Sequence, residues 1–301
     1  MAAMNRVSTL PLALACWDAG VFPSLMIPFQ QEDFQTAMSL DARRDAINQT
    51  LLEFKKSTGN CDVVLGLSYG ELDDATTMKL IVDHQVSHVE LFSMVDQTRF
   101  YQPMRDKYQK LYEPWFAKKL KTYGSIRFME RIRQLSNSPP GTAICLHGSD
   151  GAGTTNMQLT TQQMFDQQRQ MTPDAVVIPY GGVGTPEQVA YYLSAGAVAV
   201  AVGTLFAACV ESPLSEATKH TMILASANTV FRMPDSNQNM LPMGALTDII
   251  DNKSQSGANR DGSLHAGIYG DGTVGHIYAG HGIQHVDRIR TVKQTVEYLL
   301  G

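Results

Sequence analysis

Short apolar runs alternate with longer amphipathic stretches along this chain, and the alternation predicts its elements. Leu12 to Ala19 reads as a short helix closed by Gly20 and followed by the strand-like run VFPSLMI. Asp41 to Lys56 sets Ile47, Leu51 and Phe54 on one helical face, and Gly59 with Asn60 closes it. Cys61 to Leu67 then reads as a strand, Asp73 to His84 as a helix and Val86 to Phe92 as a strand. After a less regular middle, Thr142 to Leu146 is a clear apolar strand, and Leu159 to Arg169 is a glutamine-rich helix. Strand–helix alternation of this kind argues for β/α units with parallel pairing.

The most informative stretch is AVVIPYGGVGTPEQVAYYLSAGAVAVAVGTLFA, from Ala175 to Ala207. Val176 to Pro179 is apolar without a gap, the mark of a strand buried on both faces, and Gly181, Gly182 and Gly184 follow at once. Thr185 suits a helix cap, Pro186 the first helical position and Glu187 the positive end of the helix. Val189, Leu193 and Ala197 keep helical spacing, and Gly196 ends the helix. A second strand, Ala197 to Val202, runs into Gly203 and Thr204. One glycine turn after a strand is common in α/β proteins. Two in succession match a phosphate cradle between the loops after the seventh and eighth strands of a (β/α)8 barrel.

Two segments depart from the alternation. Gln97 to Lys121 carries Phe100, Met104, Tyr108, Leu111, Trp115 and Phe116 at helical intervals, which predicts a core-facing aromatic stripe. Ile126 to Met129 is a candidate strand beyond it. After a helix in ESPLSEATKHTMILAS, with Ser212 or Ser215 as its cap, the residues from Phe231 to His281 become rich in Gly, Asn and Asp. They predict an irregular segment, a lid or substrate loop spanning about residues 231–285. Val286 to Leu300 is then a helix packing through Ile289, Val292, Val296 and Leu299.

Composition narrows the class. A chain of 301 residues with 44% hydrophobic residues suits one barrel domain, taken as residues 1–301. A net charge of -5 offers no basic field for nucleic acid or anionic lipid. Cys16, Cys61, Cys145 and Cys209 are far apart and form no CxxC pair, which predicts reduced thiols rather than a disulfide or metal framework. No secretory pattern or membrane-length apolar run is present, so a cytoplasmic location is the expectation. The histidines lack metalloprotease spacing, so no metal site is expected.

These residues resemble the nitronate monooxygenase family of FMN-dependent TIM barrels, itself similar to the flavin-dependent enoyl-acyl-carrier reductases. The resemblance rests on NRVSTLPLALACWDAGVF, CDVVLGLSYG, AICLHGSDGAGTT, the PYGGVGTPEQ to GTLF block and the tail IYAGHGIQHVDRIRTVKQTVEYL. It implies an α/β TIM barrel binding FMN, with Met4, or Met1 in a shifted register, ending the first strand at the flavin and Ser68 where an asparagine is common. It also implies Gly181, Gly182, Gly203 and Thr204 around the phosphate. Asp150 matches the family's acidic residue, whereas Thr154 stands where the family has a histidine, and a hydroxyl cannot take a proton near neutral pH as an imidazole can. His147, at a strand end, and His276, His281 or His285, in the late segment, are the candidate replacements. The resemblance implies an FMN-dependent oxidoreductase of a small organic substrate with oxygen or NAD(P)H as co-substrate. The alternatives are an enoyl-reductase-like enzyme and a barrel that binds flavin or a phosphometabolite without turnover. A homodimer is compatible with the sequence.

Overall fold

The computed structural model describes residues 1–28, 31, 37–68, 71, 74–92, 115–120, 142–154, 158–171, 173–233, 238–244 and 257–301. Helix α1 (Leu10–Asp18) leads to strand β1 (Ser24–Leu25), then α2 (Leu40–Thr58), β2 (Val64–Ser68), α3 (Ala75–His84) and β3 (His88–Phe92). Strands β4 (Trp115–Leu120) and β5 (Thr142–His147) precede the short β6 (Gly153–Thr154), α4 (Thr161–Met171) and β7 (Val177–Tyr180). Helices α5 (Pro186–Ser194), α6 (Thr204–Ala207) and α7 (Glu216–Leu224) follow. The chain continues through β8 (Phe231–Arg232), β9 (Gln238–Met243), α8 (Gly257–Tyr269), β10 (Gly275–Ile277) and α9 (Val292–Leu300).

Six strands form one parallel sheet in the order β1-β2-β3-β4-β5-β7, each paired with the next parallel to it. Two extended segments continue it to closure. Ala201 bridges Tyr180 in parallel and donates to Pro179 O at 2.9 Å. On its other side Ala2 N donates to Val202 O at 2.8 Å. Ser8, shortly after, accepts from Met26 N through its carbonyl at 3.1 Å, which joins the start of the chain to the β1 end of the sheet. The result is a (β/α)8 barrel, with residues 2–4 in the first slot and residues 200–202 in the eighth.

Strand β2 shows why the core forms. Val63, Leu65 and Leu67 are buried against Ile47, Leu51 and Phe54 of α2 and Met78 and Ile81 of α3. They occupy alternate positions, so they share the outward face that the helices cover. The expected stripe of α2 is therefore the observed one, begun by Ser39, whose hydroxyl accepts from Ala42 N, and ended by Gly59 at φ 84°. Inside the barrel, Ala2, Cys145, Tyr180 and Ala201 pack together with Met4 and Ile178. All four cysteines are buried, and none of them is joined in a disulfide.

Three expectations change. Trp115 and Phe116 lie in β4, between β3 and β5, and not on a helix. A helical spacing of aromatic residues was overridden there by the vacancy that a closed sheet must fill with a strand. The remainder of the aromatic stripe and the run Ile126 to Met129 lie outside the described residues. The late segment is not irregular throughout: β8, β9 and β10 form an antiparallel sheet with β6, and α8 lies on β10. Its glycines mark close packing. A Cβ at Gly267 in α8 would stand 2.0 Å from His276 O of β10. The last helix begins at Val292 rather than Val286, because Thr291 caps it and residues 281–285 form a 3-10 turn. Among the described residues, no helix is long and apolar enough to cross a membrane.

Candidate active site

The carboxyl ends of β5 and β7, the end of the eighth slot and the turn at Gly280 converge on one face of the barrel. The turn after β7 is built as its sequence implies. Gly181 and Gly182 adopt φ values of 105° and 72°, a region open to glycine at little cost. Thr185 caps α5 by accepting from Gln188 N, and Gln188 Oε1 accepts in return from Gly184 N at 2.8 Å and Thr185 N at 3.2 Å. The capping box thus consumes the donors at the far end of the turn. Among the described residues, the N–H groups of Gly182, Val183, Gly203, Thr204 and Leu205 donate to no acceptor. Thr204 is buried, and its hydroxyl accepts from Gly280 N at 3.2 Å, so its own proton remains to be donated.

Met4 reaches this cluster through its side chain: a Cβ at Gly203 would meet Met4 Sδ at 3.3 Å and Ala2 Cβ at 3.5 Å. Ser68 is the last residue of β2, in register with Phe92 of β3, at the same carboxyl face.

His147 ends β5 in register with Tyr180. Its ring is 3% exposed, lies edge-on to Tyr180 with centroids 5.3 Å apart, and fills the space a Cβ at Gly151 would need, 2.3 Å away. Tyr180 donates to Ala3 O at 3.0 Å and is hydrogen-bonded to the buried Glu90 of β3; burial raises its pKa well above the usual 10.0.

Asp150 proves to be an anchor. Its Oδ1 accepts from Thr161 N at 2.7 Å and Thr161 Oγ1 at 2.8 Å, at the first residue of α4, eleven residues on. Its Oδ2 lies against Gly182, where a Cβ would stand 2.1 Å from it. Its backbone carbonyl accepts from His281 N at 2.8 Å. Burial raises the Asp150 pKa, opposed by the hydrogen bonds from Thr161. Thr154 lies in β6 opposite Gln238 of β9.

The late histidines separate. His281 is exposed at the rim, next to Asp150. His285 packs on the turn after β7, 2.5 Å from where a Cβ at Gly184 would stand, and its pKa is lowered by burial. His276 is fully buried in the accessory sheet, with Nδ1 2.9 Å from Ser263 Oγ and its ring edge-on to Tyr278. It fills the packing between β9, β10 and α8, not the barrel mouth. Sequence reasoning passed over Thr161, Asn239 and Gly280. Asn239 is buried and donates from Nδ2 to both Ser149 O and Gly151 O at 2.7 Å. Those partners are about ninety residues away in the chain, so no local pattern signals them. Among the described residues, no group of three or more His, Cys, Asp or Glu gathers as metal ligands do.

A parallel eightfold barrel of this kind belongs to the class of TIM barrels, in which phosphate sites commonly lie after the seventh and eighth strands, where this chain has its unpaired N–H groups and glycine turns. Comparison with known proteins specifies the class further. The family model for nitronate monooxygenase matches residues 120–301, and the chain belongs to that family, whose members are flavin-dependent oxidoreductase enzymes. The structure of FabK from Thermotoga maritima is similar over 100% of this chain and 90% of its own, with a TM-score of 0.76 and 20% identity. The nitroalkane oxidase from Streptomyces ansochromogenes is similar over 99% of this chain and 93% of its own, with a TM-score of 0.72 and 18% identity. The enoyl reductase domain of MlnA from Bacillus amyloliquefaciens is similar over 84% of this chain and 66% of its own, with a TM-score of 0.55 and 16% identity. No curated protein matches the sequence significantly.

Proposed function

We propose that the protein is an FMN-dependent oxidoreductase of a small organic substrate, with monooxygenation of a nitronate-type anion as the leading reaction. The observation that carries this reading is the set of unsatisfied donors after the seventh and eighth strands. The N–H groups of Gly182, Val183, Gly203, Thr204 and Leu205 and the Thr204 hydroxyl suit the terminal phosphate of FMN. The turn packs closely against the β5–β6 loop, since a Cβ at Gly181 would stand 2.5 Å from Gly151 Cα and one at Gly182 2.1 Å from Asp150 Oδ2. When bound, FMN supplies the electron transfer, and the protein's part is to hold the cofactor, orient the substrate and exclude water.

The chain's own groups limit the proton chemistry. Threonine at position 154 provides no base, His276 is packed in the accessory sheet, and His281 is exposed. His285 packs against Gly184 of the turn after β7, and His147, at the end of β5, is tightly enclosed by glycine backbone. This favours a substrate already anionic, which needs orientation rather than deprotonation. The reading keeps the chain as one working unit with a diffusible substrate in the cytoplasm.

Reduction of an activated double bond with NAD(P)H is the second reading, and the shared fold of the nitroalkane oxidase and the enoyl reductase domain leaves both chemistries open. The test is reconstitution with FMN, equilibrium dialysis and turnover. The expected result is one FMN retained per chain and oxygen consumption with an alkyl nitronate. Retained FMN with NAD(P)H-dependent reduction of an enoyl thioester replaces the leading reaction by the second. Retained FMN with neither activity favours a binding role, and no retention after reconstitution overturns the proposal.

A further inference from the structure

The loop between β5 and β6 carries Asp150 and faces the turn after β7, and it is held from two directions, by Leu159 and by Thr161 at the start of α4, and by the late segment. Three successive carbonyls, Ser149 O, Asp150 O and Gly151 O, all accept hydrogen bonds from the late segment. Asn239 Nδ2 takes the first and third at 2.7 Å each, and His281 N takes the second at 2.8 Å. The two carbonyl acceptors require the amide nitrogen, not the amide oxygen, to face the loop. The same late segment reaches the eighth-slot loop, because Gly280 N donates to Thr204 Oγ1 at 3.2 Å. Backbones meet closely here: a Cβ on Gly280 would stand 2.6 Å from Asp150 O and 2.8 Å from Gly151 C. Gly280 itself is extended, at φ -104° and ψ -178°, so the need for glycine is one of space alone.

We propose that Asn239, with the Gly280–His281 backbone, forms a clasp that sets the distance between the β5–β6 loop and the phosphate turn. Asn239 is then a positioning residue for the cofactor site. Its link to cofactor affinity rests on the FMN reading, whereas its hold on the loop does not. The route is short: Asn239 fixes the carbonyls on either side of Asp150, the Asp150 carboxylate lies against Gly182, and Gly182 contributes a phosphate donor. The late segment that reads as a lid thereby acts as a support from behind the loop.

Two variants test this with two readouts. Asn239→Asp keeps the shape but replaces the amide nitrogen, which donates both bonds, with a carboxylate oxygen facing two carbonyls, and Gly280→Ala adds one methyl at an unstrained backbone position. Hydrogen exchange is measured first in the protein without added cofactor, over the peptide carrying the amides of Ser149 and Gly151, which donate to Leu159 O and Gly148 O. Both variants are expected to raise exchange there about tenfold or more while leaving α9 unchanged, since each loses or displaces the paired bonds. FMN titration is then expected to give a Kd weakened about tenfold in both, with Asn239→Asp the weaker binder. Wild-type exchange rates in both variants overturn the clasp. Faster exchange with unchanged FMN affinity overturns the positioning role. If the wild-type protein itself retains no FMN, the FMN reading fails and the exchange result alone decides whether the clasp exists.

Discussion

Replacing Asp150 separates anchoring from chemistry. In Asp150→Ala the two bonds from Thr161, at 2.7 and 2.8 Å, disappear, and the N–H at the start of α4 loses its acceptor. A hydrogen bond to a charged acceptor contributes about 1.5–3 kcal/mol net. Relief of the buried carboxylate's desolvation offsets part of the sum, leaving a destabilisation of about 2–4 kcal/mol. For a chain of 301 residues that corresponds to a fall in Tm of roughly 3–6 °C. Asp150→Asn keeps an acceptor for Thr161 and is expected to cost about 1 kcal/mol or less. The pH dependence has a definite sign. Burial raises the folded-state pKa of Asp150 above its usual 3.8, so the folded protein binds this proton more tightly than the unfolded chain. The associated stability is fully present below pH 3.8 and is lost as pH rises through the elevated folded value. Wild type should therefore gain stability relative to Asp150→Asn on acidification through that window. Thermal unfolding of the three proteins followed by circular dichroism, repeated across pH, measures all of this. An Asp150→Ala protein that melts with the wild type refutes the anchor. Turnover abolished in Asp150→Asn, with Tm and FMN affinity intact, would return the carboxylate to the chemistry.

Thr204→Val removes the hydroxyl that both accepts from Gly280 and has a proton to give; FMN affinity should fall about three- to tenfold, read by fluorescence titration. Gly182→Ala places a Cβ 2.1 Å from Asp150 Oδ2 at a φ of 72°; FMN retention and Tm should both fall, and an intact Tm with unchanged binding would move the phosphate site elsewhere. Tyr180→Phe takes the donor away from Ala3 O and the partner away from Glu90; a loss of about 1–3 kcal/mol is expected in urea unfolding, and no loss would mean the pair holds nothing. His276→Phe, far from the mouth, should leave FMN affinity at the wild-type value in the same titration, whereas a marked fall would place that side chain in the site.

Much of this fold is a local property of the chain. The α2 stripe, the β2 and β5 runs, the capping box at Thr185 and the glycines after β7 depend on residues a few positions apart, so periodicity and turn chemistry disclose them. Ser215, one of two candidate caps, is selected because its hydroxyl reaches Thr218 N at 3.1 Å. The two glycine turns proposed to hold the phosphate are legible for the same reason, since each is contiguous with its own strand. What tertiary structure decided is whatever depends on distant partners. Trp115–Leu120 becomes a strand because a sheet with neighbours on both sides holds it, against the spacing of its aromatic residues. Asp150 becomes an anchor only where Thr161 is brought to it, and His276 is removed from the site only once β10 pairs with β9 under α8. Read in one dimension, the glycines of the late segment predict an irregular lid or substrate loop. In three they are the points where backbones touch, as Gly267 does with His276 and Gly280 with Asp150, and only folding shows what each glycine makes room for.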